Sequence, residues 1–591
     1  MVSYEDIYVD KMKAKRITNW FHPSFVILVS IVTYLIFALP SIYKPLVADD
    51  VVCAREAENI RFGIFQVWHP PLYFDILRFL THHFGMQREY LRFFGIFCFL
   101  VTLSLIYFLC KRISLDKKVG LLACFLFASH PWAIQGSLIL DIDNTILTVL
   151  LTFFIFYFVK NYNAFNLRNY LLSGLLFFVC LWAKLSTPFI LLFTVLIFYI
   201  FRGKLKEGLI YTFIVGIEGV GLFFLFWAIY SKFYNLNFLS VFERSLSVLG
   251  RGLMGCSLST FKEITLRFIR ISLWMGPYLV LLWLIIFIHW IKSCLNNKGI
   301  MKINDFLILY TIIIFVSYIF VGGTSFGFAK HQYPILPILS IIVANFILNF
   351  KLRVSKKQLV FCILIGLFFF FIERIYIGDL LYRVNYLLRK TAIFSPQKLN
   401  SFFLDFSWRV ALYFFVLTFG ILLVWFMDRK KPTLRIFITL LLVLILISNF
   451  SYNFRHLQKN YFSTYCYGRS IEEYRHLEDL LKKIFLKNKE AIIIGPEDTL
   501  YSAGFKDIVS TTPAAAGLKH YIEYRYSYLW NDRESFLRAI EDSRVKCVSY
   551  SFTWNALLTY REIFFHPRVK KTLKEQYIFF PIGEYSVWLR K

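Results

Sequence analysis

LVADDVVCAREAENIRFGIFQVWHPPLYFDIL, residues 46–77, is the first polar stretch after a long apolar run, and it concentrates groups that can do chemistry. Asp49 and Asp50 stand directly behind the apolar run 25–40, and a carboxylate pair at a membrane surface is costly unless something uses it. Glu56 and Glu58 follow, two residues apart. The corner Trp68-His69-Pro70-Pro71 is extended, because each proline disfavours the α conformation in the residue before it. Every piece also has a plainer reading. Asp49 caps a short helix beginning near Val51 and Asp50 complements its dipole; the two glutamates form a solvated face; His69 is structural. Taken together, acids at one end and an imidazole on a rigid corner at the other predict a cavity wall just outside the lipid.

The composition agrees with a membrane setting. Of 591 residues 58% are hydrophobic and 20% aromatic, with a mean hydropathy of +0.59, which excludes a single soluble domain. The net charge of +29 would suggest nucleic acid in a soluble chain. Here the basic residues sit in short loops between apolar runs, the signature of membrane topology, so no nucleic-acid partner is expected. Ten cysteines are scattered singly, with no CxxC and no Cys/His cluster, which argues against a zinc site or a disulfide framework. The apolar run after Lys11, Lys13, Lys15 and Arg16 ends in bulky residues and Pro40, so it reads as an uncleaved first span.

At about 20 apolar residues per spanning helix, the chain divides into about thirteen spans: 24–40, 89–110, a third ending near Ser129, 143–160, 170–184, 187–201, 208–231, 271–293, 304–321, 334–350, 357–377, 408–427 and 434–450. The basic loops 111–118, 160–168, 202–206, 292–302, 351–357 and 428–435 then fall on the side of the N-terminal tail, the cytoplasm by the positive-inside rule. The opposite face collects the chemically suggestive segments: the Asp49 stretch, 130–143, 184–188, 232–270, 322–334 and 378–407. The expected organisation is a cytoplasmic tail (1–21), a transmembrane module (22–451, first outward loop 41–88) and an extracytoplasmic α/β domain (452–591). In the last, helices are expected near 471–486 and 533–542 and strands near 491–494, 546–551 and 585–589.

Three further constellations face outward. Asp141 and Asp143 lie where the third span hands over to the fourth; two apart on a helix they point to nearly opposite sides, so only an irregular turn lets both meet one cavity. The plainer reading makes Asp143 the N-cap of the fourth span. Lys184, in LWAKLSTP, is an ammonium in an apolar context that snorkels to the interface, waits for a phosphate or pairs with one of the aspartates. Lys330 and His331 follow a glycine-rich bend and precede Pro334. Carboxylates that take protons and cations that hold phosphate, gathered at one membrane surface, fit group transfer from a lipid phosphate.

The order of span, Asp-Asp, helix, HPPLY, span, basic loop, span and HPxxxxxxxxxDIDN resembles the GT-C membrane glycosyltransferases, in particular the branch of the dolichyl-phosphate-mannose protein mannosyltransferases and the bacterial aminoarabinose lipid A transferases. The likeness covers about 24–350 and, more loosely, the whole plan. It implies an all-α polytopic GT-C membrane protein with a C-terminal α/β domain, using a polyprenyl-phosphate sugar as donor and transferring the sugar outside the cytoplasm with inversion. It makes Asp49, aided by Asp50, the base or acceptor-orienting group. His69, Lys184 and Lys330 become donor-phosphate ligands, and Asp141, Asp143, Glu56 and His331 substrate-orienting groups. It leaves open a divalent cation at Asp141 and Asp143, and a lipid, glycan or protein acceptor. The chain departs from the family pattern in Asp-Asp for Asp-Glu, Cys53 for a tyrosine, and Lys330-His331 for Arg-Tyr. Two alternatives stay open: a transporter or flippase for a lipid-linked sugar, and a lipid-linked glycan polymerase or ligase. The only Asn-x-Ser/Thr sequon, at Asn449, lies at a span end, which leans the expected location to a bacterial inner membrane.

Overall fold

The computed structural model describes residues 23–44, 69–84, 88–113, 116–239, 275–296, 301–321, 329–349, 356–376, 431–458, 471–487, 491–495, 509–510, 533–551, 566–582 and 585–591, with 46, 50, 53–54, 57, 241–242, 264, 268 and 271–272 between them. It divides into two compact units, one of residues 1–42, 56–375 and 410–454, the other of 43–55, 376–409 and 455–591.

The described part of the first unit is helical. Helix α1 (Pro23–Ala38) begins on a proline, whose missing N–H costs nothing at a helix start, and closes through a 3-10 turn, Leu39–Ser41. After the Pro70-Pro71 corner, the short α2 (Leu72–Phe84) carries Asp75 in its first turn, where a negative charge complements the dipole. Then follow α3 (Arg88–Arg112), α4 (Lys117–Ser129), α5 (Pro131–Ser137), α6 (Ile146–Asn161), α7 (Leu167–Ala183), α8 (Ser186–Phe201), α9 (Leu205–Phe233), α10 (Pro277–Asn296), α11 (Ile303–Val321), the 3-10 turn Ala329–Ile335, α12 (Leu336–Asn349), α13 (Lys356–Tyr376) and α14 (Lys431–Gln458). At 1.5 Å per residue α3 is about 38 Å long, more than a bilayer core needs.

Six of the described helices are long and apolar enough to cross a membrane, and α4 with α5 makes a seventh if that pair, bent by 66°, is one span. The bend has a local cause. Pro131 cannot continue α4, and His130 in extended conformation ends one helix while its Nδ1 accepts from the Trp132 N–H to cap the next. A helix occupies twelve of the thirteen expected runs, and 408–427 lies outside the described residues. Helices α1, α6, α7, α8 and the apolar part of α13 are shorter than a full span. Thirteen spans is therefore more than these lengths give by themselves.

Helix α12 is buried from Leu336 to Ala344 and packed on α4, α3, α10 and α11, with Asn345 and Asn349 as the polar end of an otherwise almost wholly apolar helix. Two glycines make the close approaches that shape the site. A Cβ on Gly95 of α3 would stand 1.9 Å from the Ser137 carbonyl oxygen, and one on Gly136 would stand 2.4 Å from the Tyr333 ring. Tyr333 in turn donates to the Ala133 carbonyl at 2.8 Å, locking the 3-10 turn before α12 onto α5.

In the second unit, α15 (Ile471–Lys487), β1 (Ile492–Gly495), β2 (Val509–Ser510), α16 (Arg533–Glu541), β3 (Val545–Ser551), α17 (Pro567–Gln576), β4 (Tyr577–Ile582) and β5 (Tyr585–Arg590) build a five-stranded sheet in the order β2-β1-β3-β5-β4. The first three strands run parallel, and β3, β5 and β4 pair antiparallel. Alternation along β1 sends Ile492 and Ile494 to a core shared with α16 and α17, and Ile493 to a second core shared with α15. The expected helices and three strands are present within a residue or two; β2, α17 and β4 are additional.

Candidate active site

The site is built on the irregular hand-over from α5 to α6. Asp143 is not the N-cap of the fourth span: Thr145 holds that position, without a side-chain cap, and the helix starts at Ile146. Between the helices the chain is held by its own side chains. The Asp143 N–H donates to Asp141 Oδ1 at 2.9 Å. The Thr145 hydroxyl donates to the Asp141 carbonyl and the Thr148 hydroxyl to the Asp143 carbonyl, at 2.5 and 2.6 Å. Short hydroxyl and carboxylate side chains offer the backbone such alternatives to helix. The result is a turn in which both carboxylates reach one cluster of cations.

Lys184 meets that turn from the break between α7 and α8, where it closes α7 in extended conformation. Its ammonium donates to both Asp143 oxygens at 2.6 Å, and the two side chains keep only 7% and 4% of their exposure. It does not snorkel to the interface. The 3-10 turn before α12 supplies the rest: Lys330 donates to Asp141 Oδ2 at 2.9 Å, and His331 Nδ1 lies 3.1 Å from both Asp143 Oδ2 and the Lys184 ammonium. Nδ1 is thus the ring nitrogen engaged inside the cluster. Tyr318 of α11 stacks on the His331 ring at 5.0 Å, and its hydroxyl is shared with Thr187 and Ser186 at the start of α8.

Each charge has a cause for staying ionised. Burial alone would push the Asp143 carboxyl up, but the Lys184 ammonium and the His331 contact hold it well below the usual carboxylate range. Burial would pull Lys184 down, and the Asp143 carboxylate raises it instead. His69 is near enough for charges on Lys184, Asp143, Lys330 and His331 to act on its ring. Desolvation, then the Lys184 ammonium, lowers its pKa to about 3, so it is a neutral hydrogen-bonding imidazole at physiological pH.

The structure thus gathers Asp141, Asp143, Lys184, Lys330, His331 and His69. Asp49 and Glu56 lie outside the described residues; Asp50 is described, is buried, and belongs to the second unit. A divalent cation does not fit Asp141 and Asp143, because both oxygens of Asp143 are taken by Lys184 and Asp141 is shared between Lys330 and a backbone N–H. No group of three His, Cys, Asp or Glu side chains that could hold a metal occurs among the described residues. Sequence reasoning missed Tyr318, one tyrosine in a long apolar run, and Arg92. Buried in α3, Arg92 donates to the Leu138 carbonyl at 3.1 Å and to the Ser41 and Ile42 carbonyls at 3.3 and 3.0 Å. It thereby holds two helix C-terminal ends, where a cation complements the dipole, and each of these ends runs on into an acidic segment.

Residues 68–230 match the family described as dolichyl-phosphate-mannose-protein mannosyltransferase. Crystal structures of ArnT from Cupriavidus metallidurans, bound to undecaprenyl phosphate and in the apo state, are similar at a TM-score of 0.52 and 14% identity over 97% of this chain and 98% of theirs. The apo oligosaccharyltransferase of Archaeoglobus fulgidus is similar at a TM-score of 0.48 and 12% identity over 97% of this chain and 74% of its own. No curated protein matches the sequence. A multi-pass helical membrane protein with buried ion pairs at its helix breaks is the class these features define. Its fold is similar to that of ArnT, and the family match is confined to residues 68–230.

Proposed function

We propose that the protein moves a sugar from a polyprenyl-phosphate donor to a hydroxyl or amine of a lipid, glycan or protein acceptor, at the extracytoplasmic face of a bacterial inner membrane that it crosses thirteen times. The 452–591 part then lies on the same outer side. The observation that carries the reading is the pair of ammonium groups, Lys184 and Lys330, each held by its own aspartate at helix breaks of the first unit. A phosphate entering beside them meets cations already oriented, so little reorganisation is needed as charge develops. The ArnT fold, whose crystal structure holds undecaprenyl phosphate, and the mannosyltransferase match over 68–230 support this donor class.

In this mechanism the acceptor oxygen or nitrogen attacks the anomeric carbon from the face opposite the phosphate. Asp49 takes the acceptor proton as the new bond forms; the carbon–oxygen bond to phosphate breaks, and the phosphate leaves with the electron pair. Adjacent Asp50 disfavours full ionisation of both acids, which suits a base. Lys184 and Lys330 stabilise the charge on the leaving phosphate, and neutral His69 adds a hydrogen bond. Asp141 and Asp143 hold the lysines, while His331 and Glu56 orient the substrate. The protein in nanodiscs, given radiolabelled polyprenyl-phosphate sugars and envelope acceptors, is expected to label an acceptor. Passage of intact donor across sealed vesicles without any transfer would favour the flippase reading.

A further inference from the structure

The charges of the site account for a phosphate, but two amide side chains beside them are left without work. Asn144 follows Asp143 in the turn and is 3% exposed, and Gln332 follows His331 and is 1% exposed. Among the described residues, neither Oδ1 nor Nδ2 of Asn144 has a hydrogen-bond partner, and Oε1 of Gln332 has none. Buried amide groups are ordinarily paired, and an unmade hydrogen bond there costs the full desolvation of the group. Such a pair of orphans flanking an ion-paired cluster asks what completes it.

The chemistry of the missing partner follows from what an amide offers. A carbonyl oxygen is satisfied only by a donor. An ionised phosphate accepts and does not donate, and an isoprenoid tail does neither. What faces Asn144 must present a donor and an acceptor side by side. Exchanging the two ends of the Asn144 amide changes nothing, because both are orphaned. Sugar hydroxyls, or a hydroxyl beside an amino or acetamido group, meet this requirement. The turn that carries Asn144 is itself held by Asp141 and Thr145, so the amide is presented on a braced segment, as a selective site needs.

We infer that Asn144, with Gln332, reads the sugar ring of the donor while the neighbouring lysines hold its phosphate. This rests on the donor class proposed above and adds to it a division of labour: the cations bind any polyprenyl phosphate, and the two amides discriminate sugar-bearing from sugar-free lipid.

The test is a ratio. Dissociation constants of the full-length protein in nanodiscs are measured for undecaprenyl phosphate and for undecaprenyl-phosphate-linked hexose, N-acetylhexosamine and aminopentose, in wild type, Asn144→Leu and Gln332→Met. Wild type is expected to bind one of the sugar-bearing lipids about tenfold or more tighter than the sugar-free one, the preference that two neutral hydrogen bonds supply. Asn144→Leu is expected to bring the two affinities together while leaving undecaprenyl phosphate binding and the melting temperature undiminished. A ratio unchanged in both variants overturns the inference, as it would if the orphans were filled by water, and so does a wild type without preference for any sugar. If Asn144→Leu fails to fold, the Gln332→Met ratio decides. A wild type that binds neither class of lipid removes the proposed function, and this inference with it.

Discussion

Replacing Lys184 by methionine is expected to destabilise the protein by about 3–5 kcal/mol, because it strands the Asp143 carboxylate in a site that keeps 4% of its exposure. The second substitution, Asp143→Asn in the Lys184→Met background, is expected to restore most of that loss, since a neutral amide no longer requires the cation. It should not restore sugar transfer, because the phosphate ligand is gone. Thermal denaturation in nanodiscs and a transfer assay on the same samples separate the two effects. A Lys184→Met protein that melts like wild type would show that the ion pair carries no such burden. The pH dependence follows from the directions of the shifts. The depressed Asp143 contributes stability above its unfolded value of about 4, lost as pH falls through its folded value. The raised Lys184 contributes below about 10.4, lost as pH rises through its folded value. Between those limits the contribution of the pair is flat.

Asp49→Asn is expected to lower the transfer rate by about 100- to 10,000-fold, the usual worth of a general base, while leaving donor affinity near wild type. The amide is nearly isosteric and cannot take the acceptor proton, so the loss belongs in turnover. Single-turnover transfer from pre-bound donor, with donor binding measured in parallel, reads the distinction. Unchanged turnover would remove Asp49 as the base. An equal loss in affinity would make it a donor ligand instead.

The helices were legible because bilayer-length apolar runs bounded by basic loops leave few alternatives, and a helix stands in each described run. The end of the third span near Ser129 was legible too, but not the short helix Pro131–Ser137 beyond it, which the proline sets off at an angle of 66°. Lys184 was visible as a charge with no business in its surroundings. Pairing with one of the aspartates was among its expected roles, but the convergence of both was not legible: Asp143 and Asp141 sit two apart, which on a helix sends them to opposite sides. Only the hydroxyls of Thr145 and Thr148, which tie down the carbonyls of the turn, allow both to converge. In the second unit, Pro581 disguises β4 as a loop, and α17 offers only Val569 and Leu573 as buried apolar residues, too sparse a pattern to announce a helix. The orphaned amides of Asn144 and Gln332 carry no sequence signal, because an unmade hydrogen bond exists only once the rest of the fold has left it unmade.

Photo-crosslinking tests the central claim most directly. A polyprenyl phosphate bearing a photoreactive group on the isoprene next to the phosphate is bound to the wild-type protein in nanodiscs, irradiated, and the labelled peptides are sequenced. Label in the segments around Lys184 and Lys330, diminished by Lys330→Ala, is the predicted result. Label confined to segments remote from both lysines, and indifferent to that substitution, would contradict the account.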